Sequence, residues 1–129
     1  MTTWVADASI TVAYLLGEGS DLEREVMLGE AHAPALIDVE VTHTLRGLLR
    51  ASRIGIDAAE LGRDDLAQLS LRRHPDVHLL RRAWELRDVC TTYDALYVAL
   101  TEALEATLVT RDGRLAREVA NLVDVAIPA

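Results

Sequence analysis

Four carboxylates occupy positions where an acid is either useful or costly. Asp7 directly follows the short apolar run Thr3–Ala6, and Asp112 lies two residues beyond a second such run, Thr107–Thr110. Asp94 stands in the first turn of Tyr93–Leu104, the most apolar helical stretch, and Glu40 borders the apolar stripe of Leu36, Ile37, Val41 and Leu45. Each has an ordinary structural use when taken singly: Asp7 and Asp112 as helix caps, Asp94 as a partner of the helix dipole with Thr92 as cap, and Glu40 as a border residue reaching solvent. As a set they are harder to accommodate. At an effective dielectric of about 20 and a spacing of roughly 5 Å, each ionised pair costs on the order of 3 kcal/mol, so a converged set requires cations or shared protons. An all-oxygen donor set selects hard ions, which makes Mg²⁺ or Mn²⁺ the expected counter-charge.

The elements that must bring these acids together are short strands alternating with helices. Thr3–Ala6, Thr107–Thr110 and Val123–Ile127 read as strands, with a further brief strand expected at Asp76–Leu79. Helices are expected over Ala8–Leu16, Asp21–Leu28, Leu36–Ser52, Asp57–Leu71, Leu80–Arg87, Tyr93–Leu104 and Asp112–Val119, punctuated by Gly17, Gly19, Pro34, Gly55 and Pro75. Strands separated by helices pair in parallel through right-handed crossovers. The class is therefore α/β, three-layered, with a central parallel sheet flanked by helices. Ligands gather at the carboxyl ends of the strands in such sheets, where Asp7 and Asp112 both fall.

Size and composition set the outer bounds. The chain has 129 residues, half of them hydrophobic and 26% charged, as expected of one domain spanning residues 1–129. A net charge of −8 disfavours passive coating of DNA. All 13 basic residues are arginine, so chemistry that needs a lysine ammonium has nothing to supply it. Cys90 is the only cysteine, which excludes an internal disulfide and a thiolate zinc cluster and leaves it as a small buried side chain. The longest stretch free of charged residues, Ala8–Gly17, is too short to span a membrane, and Asp7 interrupts any signal-peptide pattern; a cytoplasmic location is expected.

Several segments carry a family resemblance. Val5-Ala6-Asp7-Ala8-Ser9, the pair Glu40-Val41 after Pro34, the run Thr92-Tyr93-Asp94-Ala95-Leu96-Tyr97-Val98-Ala99-Leu100 and the run Leu108-Val109-Thr110-Arg111-Asp112-Gly113-Arg114-Leu115-Ala116 resemble the PIN-domain ribonucleases, and among them the VapC-type toxins of bacterial toxin–antitoxin pairs. The likeness runs from Val5 to about Pro128. It implies a metal-dependent endoribonuclease in which Asp7, Glu40, Asp94 and Asp112 hold Mg²⁺ or Mn²⁺, Ser9 and Thr110 lend supporting hydroxyls, and water is the nucleophile, leaving a 5′-phosphate and a 3′-hydroxyl. It also implies a cognate antitoxin protein and a homodimer. Where the family often carries Asn after the Glu-Val pair this chain has His43, one helical turn past Glu40 and able to orient that carboxylate.

Hydrolysis of a phosphodiester by this chain has no Ser-His-Asp or Cys-His arrangement to draw on, so metal activation of water is the remaining route. Two divalent cations would bring the −8 chain to about −4, with the change centred at the scissile phosphate. Arg111, Arg114 and Arg117 flank Asp112 and are expected to hold RNA phosphates; Arg46, Arg50 and Arg53 form a second stripe that reads equally as a solvated helix face. Between Glu18 and Glu30 five acids face Arg24 alone, an acidic rim beside Tyr14, Leu15 and Leu16 that suits a basic amphipathic segment of an antitoxin. Two further acidic α/β readings, a Mg-binding receiver-type domain and a haloacid-dehalogenase-type phosphatase, both use a phosphate-holding lysine that is missing here. An inert PIN fold serving only as an interaction module predicts a missing carboxylate, whereas all four are present.

Overall fold

A computed structural model describes residues 2–128. In chain order the elements are β1 (Trp4–Ala6), α1 (Ala8–Leu15), α2 (Asp21–Leu28), β2 (His32–Pro34), α3 (Ile37–Arg50), α4 (Ile56–Leu66), β3 (Arg72–His74), a 3₁₀ turn (Asp76–Leu79) running into α5 (Leu80–Glu85), α6 (Thr92–Leu104), β4 (Thr107–Val109), α7 (Gly113–Val119) and β5 (Asp124–Ala126). The strands form one parallel sheet in the order β3-β2-β1-β4-β5, with helices layered against it. The chain winds outward from β1 in one direction to β2 and β3, then returns to add β4 and β5 on the other side. The strand order therefore reverses between β1 and β4, the crevice where such sheets bind ligands. β1 and β4 are in register over Trp4↔Thr107, Val5↔Leu108 and Ala6↔Val109, so residues just past Ala6 and Val109 emerge side by side.

The core forms where apolar strands meet the apolar helix. Val5, Ala6, Ala33, Leu108 and Val109 are fully buried, and α6 buries seven consecutive residues, Ala95 to Thr101, as its all-round apolarity requires. Helix α1 ends in a Schellman turn: Glu18 N–H donates to the Ala13 carbonyl, Gly17 N–H donates to the Tyr14 carbonyl, and Gly17 takes φ +73°. The chain can then turn sharply into α2, which opens with a capping box between Ser20 and Glu23.

The outer side of the sheet departs from expectation. The strand expected at Asp76–Leu79 is a 3₁₀ turn, and β3 lies four residues earlier at Arg72–His74. β2 was not foreseen either. Both are three-residue strands without a β-branched residue, His-Ala-Pro and Arg-Arg-His, which carry no alternation to read. β3 is an edge strand whose arginines are accommodated by ion pairs, Arg72 with Glu30 at 2.7 Å and Arg73 with Asp38 at 2.8 Å. Arg73 also donates to the Leu66 carbonyl, closing α4 at Leu66 and not at the expected Leu71.

Candidate active site

Asp7 is the best-anchored of the four acids. It caps α1, and its carboxylate accepts hydrogen bonds from the Ser9 hydroxyl at 2.5 Å, from the Ile10 N–H at 3.2 Å and from the Thr110 hydroxyl at the end of β4. Burial pushes its pKa above the ordinary aspartate range, and the bonds from Ser9, Thr110 and Ile10 offset only part of that. Thr110 does double duty: its hydroxyl oxygen accepts the Asp112 N–H at 3.0 Å. Asp112 then caps α7, accepting from the backbone N–H groups of Arg114 and Leu115 at 3.0 and 3.1 Å. The parallel register of β1 and β4 thus delivers Asp7 and Asp112 to one hydroxyl from opposite sides.

Helices α3 and α6 supply the other two acids. Glu40 is half-buried and accepts from the Tyr97 hydroxyl at 2.6 Å; burial raises its pKa, and the negative charges of Asp94, Asp7 and Asp76 raise it further. Asp94, in the first turn of α6, is likewise raised by burial and by Asp112. The cap of α6 is Thr91, whose hydroxyl accepts the Asp94 N–H, and not the expected Thr92. The four carboxylates are therefore linked in series, Asp7 and Asp94 acting on Glu40 and Asp112 acting on Asp94.

Several expected and unexpected neighbours take definite places. His43 is exposed, and among the described residues the hydrogen bond to Glu40 comes from Tyr97, so the imidazole does not orient that carboxylate. The Arg111 guanidinium is committed to Glu23 by a two-pronged ion pair, with Nε at 2.6 Å and Nη2 at 2.7 Å, and does not stand free for a phosphate. Glu23 in turn is fully buried, so it does not belong to the acidic rim expected between Glu18 and Glu30. Arg114 is exposed and pairs with Glu118 at 2.9 Å, and Arg117 is exposed. Cys90 is half-buried and burial pushes its thiol up, away from a reactive thiolate.

Sequence reading missed Tyr97, Asp76 and Glu118. The first was hidden among the apolar residues of α6, although a tyrosine in a buried run needs a partner for its hydroxyl. Asp76 accepts the Leu36 N–H at 3.1 Å and so caps α3 from a distant turn, which only the fold reveals. Glu118 keeps one carboxylate oxygen buried without a partner and adds its charge to the field at Asp94.

The donor set suits a hard divalent cation. It consists of carboxylates and hydroxyls, its mutual repulsion is relieved only in part by Arg114, which lies 3.8 Å from Asp112, and it holds no thiolate or imidazole. Among the described residues no three acidic, histidine or cysteine side chains stand together as a group able to hold a metal ion.

The PIN domain family model matches residues 5–121, a span that includes all four acids. The chain is a PIN-domain protein. Within that family it belongs with the VapC ribonucleases: VapC ribonuclease Mb0985 of Mycobacterium bovis is 40% identical over 112 residues, covering 86% of this chain and 87% of that protein. Ribonuclease VapC1 of Mycobacterium tuberculosis is 40% identical over 120 residues, 90% of each chain. Among solved structures, the crystal structure of PAE2754 from Pyrobaculum aerophilum superposes with a TM-score of 0.69 at 24% identity, over 95% of this chain and 83% of that one, a likeness of fold. Among the described residues no helix of this PIN domain is long and apolar enough to cross a membrane.

Proposed function

We propose that this PIN-domain protein is a metal-dependent endoribonuclease, the toxin of a toxin–antitoxin pair, acting in the cytoplasm. The observation that carries this reading is the placement of Asp7, Glu40, Asp94 and Asp112 about the sheet crevice, with Asp7 pushed toward protonation by burial, and Glu40 and Asp94 by burial and by neighbouring acids. Unpaired charges at such cost suit a site built to receive a cation. When bound, Mg²⁺ or Mn²⁺ supplies Lewis acidity to the scissile phosphate and makes an attacking water easier to deprotonate. The four carboxylates would hold the ion. Ser9 and Thr110 fix the orientation of Asp7, and Tyr97 fixes that of Glu40, so little reorganisation is left for the moment of reaction. The Ser9 hydroxyl donates to Asp7 and accepts from the Arg111 amide, and the Cys90 thiol is held up by burial, so both are engaged otherwise than as nucleophiles.

RNA phosphates fall to the exposed Arg114 and Arg117 beside Asp112. An antitoxin segment fits the cleft of about 460 Å³ between α1, α2 and α4, lined by Tyr14, Leu15, Arg24, Asp65 and Leu69. A second copy of the chain suits the exposed stripe Val77, Leu80 and Trp84, which are 67%, 47% and 69% exposed and spaced along one helical face. The deciding experiment is cleavage of RNA with Mg²⁺ or Mn²⁺ by the wild type and by Asp7→Asn. Metal-dependent cleavage that vanishes in the variant supports the reading, and equal rates in the two proteins refute it. Failure of the small protein encoded beside this gene to co-purify, or to relieve growth arrest, would refute the antitoxin partner alone.

A further inference from the structure

We propose that the ion pair between the buried Glu23 and the part-exposed Arg111 is a positioning device through which helix α2 sets the geometry of Asp7 and Asp112; this rests on the acidic crevice being the metal and nuclease site. Glu23 has no side-chain exposure, yet it carries a carboxylate on a surface helix. Its two oxygens are used in full: one accepts from Arg111 Nη2 and the Ser20 N–H, the other from Arg111 Nε. The fork geometry fixes the guanidinium in plane and distance, which a lysine would not do. Arg111 sits between Thr110, which holds Asp7, and Asp112, which caps α7. Its backbone N–H donates to the Ser9 hydroxyl at 3.0 Å, and that hydroxyl donates to Asp7.

The links therefore run from the Glu23 carboxylate through the Arg111 side chain and main chain to Ser9 and Asp7, with Asp112 attached to the same three-residue segment. With the Glu23 carboxylate taken out of water and the guanidinium only partly so, the pair's Coulomb gain is set against the desolvation of Glu23, which makes it a weak source of stability. Its distinguishing property is directional rigidity. Placed in the loop that carries one metal-site carboxylate and touches another, it holds that loop against α2 at a fixed spacing. Arg111 thereby acts on the site without touching substrate.

Two readings of Arg111 give opposite signs for one substitution. If Arg111 were an RNA-phosphate contact, Glu23→Gln would free the guanidinium and strengthen RNA binding. If the pair positions the acids, Glu23→Gln and Arg111→Met both lower function in the same way. The test compares wild type, Glu23→Gln, Arg111→Met, the double variant and Arg111→Lys by Mn²⁺ titration, by kcat and KM on single-stranded RNA, and by RNA affinity against salt. Either single substitution is expected to weaken Mn²⁺ binding or lower kcat by about 10- to 100-fold, the range typical of groups that orient metal ligands, with KM and the salt slope unchanged. The double variant should lose no more than the worse single one, because both break one pair, and Arg111→Lys should recover part of the loss. Leu66→Ala, a core truncation in α4, controls for stability alone: it should lower Tm and leave Mn²⁺ affinity at the wild-type value.

Wild-type Mn²⁺ affinity and kcat in Glu23→Gln would overturn the proposal, as would a salt slope flattened by about one unit in Arg111→Met with tighter RNA binding in Glu23→Gln. Should Arg111→Met fail to fold because Glu23 is left unpaired, Glu23→Gln and the double variant decide the matter. A wild type that binds Mn²⁺ but cleaves no RNA would refute the nuclease reading, while the Mn²⁺ titrations would still judge the positioning role. A wild type that binds no Mn²⁺ would overturn both.

Discussion

Removing the Tyr97 hydroxyl probes the bond that fixes Glu40. In Tyr97→Phe the ring still fills its place in the core, where it is 2% exposed, and only the 2.6 Å hydrogen bond to the carboxylate is lost. A hydrogen bond to a charged acceptor contributes about 1.5–3 kcal/mol, and the half-exposure of Glu40 places this one at the lower end, about 1.5 kcal/mol. At roughly 2.1 cal/mol/K of unfolding entropy per residue, that loss should lower Tm by about 5–6 °C in EDTA at pH 7.5. The effect should shrink on acidification. Glu40 has its folded pKa above the ordinary glutamate value of 4.5, so at pH 4.5 it is mostly protonated and the bond becomes a neutral one worth about 1 kcal/mol or less. The Tm difference between variant and wild type should then fall to about half. Tryptophan fluorescence during thermal unfolding at the two pH values measures it. An equal drop at both, or none at pH 7.5, would show that the hydroxyl does not act through the Glu40 charge.

Three other outcomes follow from the same crevice. Asp7, Glu40 and Asp94 all have raised folded pKa values, so their protonated forms are favoured by folding; Asp7→Asn should be more stable than wild type at pH 7.5, and as pH falls toward 5 the metal-free wild type should gain Tm relative to it, while His32, whose lowered folded pKa opposes the gain, acts alike in both proteins. Glu23, whose folded pKa is lowered by Arg111, works in the opposite sense, but its contribution is lost only below the ordinary glutamate range and leaves this window clear. Adding Mg²⁺ or Mn²⁺ should raise the wild-type Tm in proportion to the logarithm of concentration once above Kd, whereas Asp94→Asn should flatten that dependence; a metal-independent Tm for the wild type would refute cation binding. Replacing Arg114 and Arg117 together by Gln should weaken RNA binding and reduce the salt slope by about one unit per lost phosphate contact, and an unchanged slope would return them to the solvated face of α7.

The sequence displayed the β1, β4 and β5 side of the sheet well and the β2 and β3 side poorly. β1, β4, β5 and the helices beside them carry dense apolar patterns, so they and the acids at their ends were readable from spacing alone. The strands β2 and β3 consist of residues that pair because their neighbours hold them there, with Arg72 and Arg73 made tolerable by Glu30 and Asp38 from other parts of the chain. The same division runs through the site. Asp7, Glu40, Asp94 and Asp112 announce themselves by type and position, as do Ser9 and Thr110 through the family resemblance. Tyr97, Asp76 and Glu23 act across 57, 40 and 88 residues, and no local pattern encodes such pairings. Arg111 shows the limit most sharply, because an arginine beside an acidic site reads as a phosphate contact until its buried partner is known.

The groups that hold Asp7 and Ser9 come from Thr110 and Arg111, 103 and 102 residues further along the chain. Synthesis runs from the N-terminus, so a growing polypeptide carries Asp7 and Glu40 for most of its time on the ribosome without the strand that completes their setting. Any chemistry that needs Asp7 and Asp112 together is silent until Asp112 has been made and β4 has docked beside β1, so a ribosome-bound segment that stops short of β4 carries the first part of the site in an inert form.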